Sequence, residues 1–272
     1  MARVLAISSF LAHGRVGLGA TVPVLQAFGH EVVQLPTVIL SNHPGHARVA
    51  GQAVSPEHLA AMLDALKGNG WLEGIGAIIT GYLPSPGHVG FASSAAEEIR
   101  RINPAAIYVC DPILGDDPKG LYIDPQAAAA IRDLLVPRAD LITPNRFELS
   151  WLTAREVSHP GDCQGAAEAL ACRAVLATSI PAGTTPAGTK LLANVLVADG
   201  ESLSLTTPRR RGVPHGTGDV LTALISGHLV SGPIPLRAAF ERGHDQLERI
   251  VAQSVDREHL QLSPLTCVKN LP

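Results

Sequence analysis

Short apolar runs alternate along this chain with longer stretches whose apolar residues recur every three or four positions, and that alternation predicts most of the secondary structure. Residues 4–9 form a compact aliphatic run that ends in Ser8 and Ser9, with Gly14, Gly17 and Gly19 close behind. Such a run reads as a buried parallel strand that reaches a binding edge. A helix is expected over residues 16–28 and a second strand over residues 31–40. Ser55-Pro56-Glu57, ahead of Leu59, Met62, Leu63 and Leu66, supplies an N-cap, a first-turn proline and an apolar stripe, so another helix begins there.

The order continues with a strand at Ala77-Ile78-Ile79, a helix through residues 95–102, a strand at 106–110, a helix at 125–135 and a strand at Leu141-Ile142. Strands and helices alternating at this length predict a mostly parallel sheet with right-handed crossovers and helices on both faces, an α/β/α sandwich of three layers. Ligands then belong beyond the carboxyl ends of the strands. After Arg173 the pattern changes to a strand at 174–178 and a hairpin, residues 191–197 and 202–206, around Asp199-Gly200, and helix resumes after Gly216. No proline-rich or charged linker and no fixed-period repeat divides the chain, so residues 1–272 are read as a single domain.

Composition narrows the function classes. With 46% hydrophobic and 17% charged residues the chain has a globular balance, and a net charge of -3 provides no field to gather nucleic acid or an anionic membrane. The one basic cluster, Arg209-Arg210-Arg211, is either a solvated loop or an anion contact near Gly216. Cys110, Cys163, Cys172 and Cys267 show no CxxC pair, which argues against a zinc site or a disulfide framework and suits a reducing cytoplasm. The first apolar run is too short and too broken for a signal peptide or a membrane span.

The strongest local chemistry lies in Gly216-Thr217-Gly218-Asp219, followed by Val220, Leu221, Ala223, Leu224, Ile225 and Leu229 at helical spacing. A helix opening on glycines presents free N–H groups and the positive end of its dipole, which suits a phosphoryl group. An aspartate in that turn can take the proton of an attacking hydroxyl, or it can merely cap the helix. Two acidic segments stand at strand ends: Asp111-Pro112 with Gly115-Asp116-Asp117, and Thr143-Pro144-Asn145 with Glu148. They are either turn punctuation or oxygen donors for Mg²⁺.

Three near matches fail. The stretch from Gly183 to Lys190 has a threonine before its lysine and a strand after it, whereas a P-loop needs lysine directly after the second glycine and then a helix. Residues 14–19 are spaced GxxGxG instead of GxGxxG, and no acidic residue ends the next strand to take a ribose. His43 and His46 sit among Asn42, Pro44 and Gly45 in a loop, which favours contact with a polar ring over metal ligation.

Taken in order to about residue 230, these segments resemble the pyridoxal kinases of the ribokinase superfamily. Ser8-Ser9 with Gly14 and Gly17, Ser41-Asn42-His43 and Thr80-Gly81-Tyr82-Leu83 look like the substrate side of that family. The run from Asp111 to Gly115, Gly120-Leu121-Tyr122, Thr143-Pro144-Asn145 with Glu148, and Gly216 to Asp219 look like its metal and nucleotide side. The resemblance implies ATP-dependent phosphorylation of the 5′-hydroxymethyl group of pyridoxal, or of pyridoxine or pyridoxamine, on a ribokinase-like fold. Asp219 would be the base in a loop with Gly216, Thr217 and Gly218, and Ser9, His43, His46 and Tyr82 would hold the substrate. Asp111, Tyr122, Thr143, Glu148, Thr178 and Ser179 would serve the nucleotide, with Asp111 and Glu148 organising Mg²⁺. It also implies a homodimer that uses a monovalent cation such as K⁺. One departure is Pro44, where the family commonly has threonine; both a hydroxyl and an N–H are lost there. A hydroxymethylpyrimidine kinase of the same superfamily, or a non-catalytic B6- or nucleotide-binding protein, are the competing readings.

Overall fold

The computed structural model of the chain describes residues 1–263 and Leu265; Cys267, counted above, lies outside them. A sheet of nine strands runs through the molecule. Its strands in chain order are β1 (Arg3–Leu11), β2 (Glu31–Leu40), β3 (Gly51–Ala53), β4 (Ile75–Thr80), β5 (Ile107–Cys110), β8 (Leu141–Ile142), β9 (Ala174–Thr184), β10 (Lys190–Ala198) and β11 (Glu201–Pro208). A separate two-stranded hairpin, β6 (Gly115–Asp116) and β7 (Gly120–Leu121), lies between β5 and β8 in sequence. The spatial order is β11-β10-β9-β8-β5-β4-β1-β2-β3. The six strands from β9 to β2 are mutually parallel, while β3 and β10 run antiparallel to their neighbours.

Eight α-helices are present among the described residues: α1 (Leu18–Ala27), α2 (Pro56–Gly68), α3 (Pro86–Ile102), α4 (Pro125–Ala130), α5 (Arg146–Thr153), α6 (Asp162–Ala167), α7 (Thr217–Ser231) and α8 (Leu236–Ser254). They form the two outer layers of the expected sandwich. Along β1, Leu5 and Ile7 enter one core with residues of α2 to α6, while Val4 enters a second core with residues of α1, α7 and α8. A strand buried on both faces must be apolar at every position, which is why Val4 to Ile7 reads as an unbroken run. Each buried side chain of this size contributes on the order of 2 kcal/mol by leaving water.

Local chemistry accounts for the boundaries. Ser55 Oγ accepts from the His58 N–H at 3.2 Å, a cap of α2 that contributes about 1 kcal/mol. Asp199 and Gly200 both have positive φ, 53° and 79°, the twist required of a tight two-residue hairpin joining β10 to β11. The P-loop-like stretch forms the turn from β9 into β10 and precedes no helix. The helix expected at 125–135 is α-helical only to Ala130, after which residues 131–135 widen into a π-turn.

Six of these strands and α-helices were not anticipated: β3, β6, β7, α5, α6 and α8. β3 is three exposed residues without apolar alternation. The short α5 begins with a capping box in which Asn145 and Glu148 each bond the other's backbone, so the Asn-to-Glu spacing that suggested loop chemistry is also a helix start.

Candidate active site

The chain leaves β1 to one side for β2 and then returns past it to β4, β5, β8 and β9, so the parallel order reverses between β1 and β4. Crossovers diverge at such a point and leave a crevice at the carboxyl ends. Here it is a narrow cleft lined by Ala6, Ser8, Thr80, Gly81, Asp111 and Asp219, with Thr222. Backbone hydrogen bonds continue past the strand ends and fix its rim: Gly81 N–H to Ile7 O at 2.9 Å, Asp111 N–H to Thr80 O at 2.8 Å, and Thr143 N–H to Cys110 O at 3.1 Å.

Asp219 stands in the first turn of α7. Gly216 caps that helix at φ 103°, and a side chain there would place its Cβ 1.9 Å from Arg15 O, so both backbone conformation and packing demand glycine. This close approach brings the Gly14-to-Gly19 loop onto the start of α7. Burial pushes the Asp219 carboxyl up to about 6, against hydrogen bonds from the Gly17 N–H and its own N–H. Ser9 lies on the other side of Gly17, whose Cβ would meet Ser9 Oγ at 2.3 Å.

Asp111 and Glu148 converge from the ends of β5 and the start of α5, and both are buried. Burial, then the charges of Glu148 and Asp219, push Asp111 well above the carboxylate range, with hydrogen bonds from Thr222 and Thr143 opposing. Glu148 is raised to about 7, mainly by burial, although it accepts from the N–H groups of Leu114 (2.8 Å), Gly115 (3.5 Å) and Asn145 (2.8 Å). Among the described residues no lysine or arginine pairs with any of these three acids. Tyr122 is half exposed, yet its hydroxyl is raised by burial and then by Glu148 and Asp111, which places it on the same acidic rim. Such oxygen donors without a counter-charge are residues that could hold a hard cation.

On the side of the cleft that the resemblance assigns to the substrate, Ser8 Oγ accepts from the Tyr82 N–H at 3.1 Å and Thr37 Oγ1 donates to Tyr82 O at 2.7 Å, so the backbone of Tyr82 is clamped from both directions. Its phenol is half-buried and raised by that burial. Asn42 organises its own loop by donating to Arg48 O at 2.9 Å. His43 stacks on His215 with ring centroids 4.1 Å apart and 14° between planes. Its pKa is lowered by burial, then by His215, Lys119 and His46, which keeps the ring neutral near pH 7. The loop of residues 41–50 and the Lys119 turn of the β6–β7 hairpin therefore approach the residue that precedes Gly216.

The structure thus brings together Ser9, Tyr82, Asp111, Tyr122, Thr143, Glu148, Asp219 and the loop of Gly216, Thr217 and Gly218, with His43 one stacked ring away. Thr178 and Ser179 lie further along the rim at β9. Thr178 N–H donates to Pro144 O at 2.9 Å, and exposed Ser179, at φ 60°, donates its N–H to Asn194 Oδ1 at 3.3 Å. His46 is exposed and lies within electrostatic reach of Glu258, on the outer side of the same rim.

Ser8, His215, Lys119 and Thr222 had not been singled out for these contacts. Thr222 accepts from or donates to Thr143 Oγ1 at 2.9 Å and donates to Asp111 at 3.4 Å, tying α7 to the ends of β5 and β8. A hydroxyl three residues after Asp219 in an otherwise apolar stripe was the available signal. The tripled arginines contribute one ion pair, Arg210 to Glu248 at 2.8 Å, and Arg209 and Arg211 are exposed. Cys110 and Cys163 are buried free thiols, and Cys172 is a half-buried one.

The model of a family described as phosphomethylpyrimidine kinase matches residues 17–263. A pyridoxal kinase of Granulibacter bethesdensis is 34% identical over 232 residues, covering 83% of this chain and 80% of the relative. The chain belongs to the phosphomethylpyrimidine kinase family, and within it to the pyridoxal kinases. The pyridoxal kinase of Leishmania donovani, solved with ADP and pyridoxine, superposes with a TM-score of 0.88 at 27% identity, covering 98% of this chain and 95% of that one. A protein of Bacteroides thetaiotaomicron described as a putative phosphomethylpyrimidine kinase superposes at 0.87 with 25% identity, covering 100% and 94%. The architecture is therefore ribokinase-like.

Proposed function

We propose that the chain transfers the γ-phosphoryl group of ATP to the 5′-hydroxymethyl group of pyridoxal, with Asp219 as the general base. The observation that carries this reading is the half-buried Asp219 carboxylate at the start of α7, held by the Gly17 N–H and faced by two acids, Asp111 and Glu148, that are buried without a cation. The substrate hydroxyl gives its proton to Asp219 as its oxygen bonds to the γ-phosphorus, and the bond from that phosphorus to the ADP oxygen breaks. The N–H groups of the first turn of α7 face the phosphoryl oxygens as charge redistributes. Asp219 is suited to the work because a base with a pKa near 6 is ionised at pH 7 yet still takes a proton readily.

Asp111 and Glu148 fit Mg²⁺, since they offer only oxygen, are buried and repel one another. Glu148 already accepts three backbone N–H groups and would reach the ion through water, while Asp111 keeps more free lone pairs. When bound, the ion would neutralise nucleotide phosphate charge. Tyr122, Thr143, Thr178 and Ser179 form the nucleotide side of the rim in this reading. Ser9, Tyr82, His43 and His46 form the ring side, with neutral His43 able to hydrogen-bond a pyridine substituent.

Purified protein with Mg-ATP and pyridoxal should release ADP and form pyridoxal 5′-phosphate, whose absorbance follows the reaction directly. No product from pyridoxal, pyridoxine or pyridoxamine would sink the assignment. The family description and the Bacteroides neighbour favour a second reading, phosphorylation of hydroxymethylpyrimidine, which also carries an exocyclic CH₂OH. Comparing kcat/KM for the two alcohols separates them; a larger value for the pyrimidine would make it the better substrate.

A further inference from the structure

Outside the cleft, three side chains from opposite ends of the chain point their ligand atoms at one another. His13 lies in the loop between β1 and α1, and Glu258 and His259 lie in the turn after α8. His13 Nε2 is 2.9 Å from Glu258 Oε1 and 3.0 Å from His259 Nε2, and the third side of the triangle, His259 Nε2 to Glu258 Oε1, is 3.9 Å. The point equidistant from corners so spaced lies about 2.0 Å from each of them, the length of a Zn–N or Zn–O bond.

Hydrogen bonding alone accounts poorly for this arrangement. An Nε2–H on His13 can point squarely at Glu258 or at His259, but not at both. If His13 instead accepts from His259, its lone pair faces a carboxylate oxygen at 2.9 Å. A cation inside the triangle turns all three lone pairs into favourable contacts.

The ligands are also held in place independently of one another. His13 N–H donates to Ser41 O at 2.9 Å, which fixes its loop to the substrate side of the cleft. The turn after α8 is fastened by Asp256 N–H to Gly212 O at 2.9 Å, by Gln261 N–H to Ser254 Oγ at 2.8 Å and by buried Leu260. The site would therefore be largely preformed.

We propose that His13, Glu258 and His259 form a binding site for a divalent ion of the zinc class. Two imidazoles and one carboxylate select Zn²⁺, or Co²⁺ as its spectroscopic substitute, over Mg²⁺, which prefers an all-oxygen shell. Water completes the coordination, or exposed His46 on the same rim does so. The bound ion clips the turn after α8 to the loop that leads into Gly14 and Gly17, and so braces the residues that support Asp219.

The test uses untagged full-length protein, stripped with chelator, in saturating Mg²⁺ so that Asp111 and Glu148 do not compete. Titration with Co²⁺ should give visible d–d absorption saturating at one equivalent, and Zn²⁺ should displace it and raise the Tm. His13→Ala and His259→Ala should each abolish the absorption and the Tm shift, Glu258→Gln should weaken both, and Asp111→Asn should leave both unchanged. Circular dichroism of each variant confirms that it is folded before its result is read. Absence of saturable binding by the parent protein overturns the proposal. So does binding that survives unchanged in both folded histidine variants, which would place the ion elsewhere.

Discussion

The two ends of the parallel strands treat their acids in opposite ways. At the amino end lies the larger opening, about 820 Å³, lined by Arg100, Asp140, Arg173 and Arg237 among others. Its central acid is satisfied: Asp140 accepts from the Tyr108 N–H at 2.8 Å and pairs with Arg100, which also donates to Arg138 O at 2.7 Å. At the carboxyl end the cleft is narrow, but Asp111, Glu148 and Asp219 face it without an opposing cation and all three are raised. Volume therefore points to one end and unbalanced charge to the other. Charge is the better guide, because buried, mutually repelling acids are costly and persist where a ligand's own charge completes them.

The strongest way to break this contrast is to neutralise the base. Asp219→Asn should lower kcat by ~10²–10⁴-fold, while ADP still binds, since the glycines and the helix start remain. A parent-like rate would remove Asp219 from the mechanism. Asp111→Asn should act more mildly on turnover, a loss of ~10–100-fold, and in the opposite direction on stability. Removing one repelling charge should stabilise the metal-free protein by about 1 kcal/mol, read as a higher Tm in chelator. A lower Tm would show that Asp111 is a structural acid like Asp140.

How far this contrast could be read from the sequence depends on how local its causes are. Residues 31–40 and the hairpin at Asp199-Gly200 were legible because β-branched runs and positive-φ turns are set by neighbours in sequence. The start of α7 was legible for the same reason, since Gly216 to Asp219 carries the cap, the close approach and the acid in four residues. Glu148 was legible as an acid but not as the capping residue of α5, because one side chain does both. Thr222 resembles any polar interruption of an apolar helix until β5 and β8 are seen beside it. The pairing of His13 with Glu258 joins residues 245 apart and leaves no local signature.

Proton titration sharpens the comparison further. An acid whose folded pKa is raised is active as a base only above that value, so kcat should rise through about pH 6 and level off above it. Below that point each unit of pH should remove about tenfold of the rate. Glu148, raised from 4.5 to about 7, binds more protons folded than unfolded in that interval. The metal-free protein should accordingly gain stability as pH falls from about 7 toward 4.5, and saturating Mg²⁺ should flatten that dependence by favouring the ionised form. Chemical denaturation at several pH values, with and without Mg²⁺, measures it; a metal-free stability that falls over this interval would contradict the raised pKa.

The smallest effect on turnover should come from the amino end. Asp140→Ala leaves the Tyr108 N–H and the Arg100 guanidinium without their shared acceptor, next to the start of β5 and β8. Loss of the acceptor for a part-buried N–H and a half-exposed cation should cost about 1–2 kcal/mol, since water can reach the arginine and offset some of the loss. The strands would still pair over Val109 and Cys110, so the carboxyl end keeps its geometry. Tm should therefore fall while kcat and KM for ATP and the alcohol stay at parent values. A fall in kcat comparable to that of Asp111→Asn would mean that the two ends are coupled through β5, and that the paired acid supports the chemistry as well as the fold.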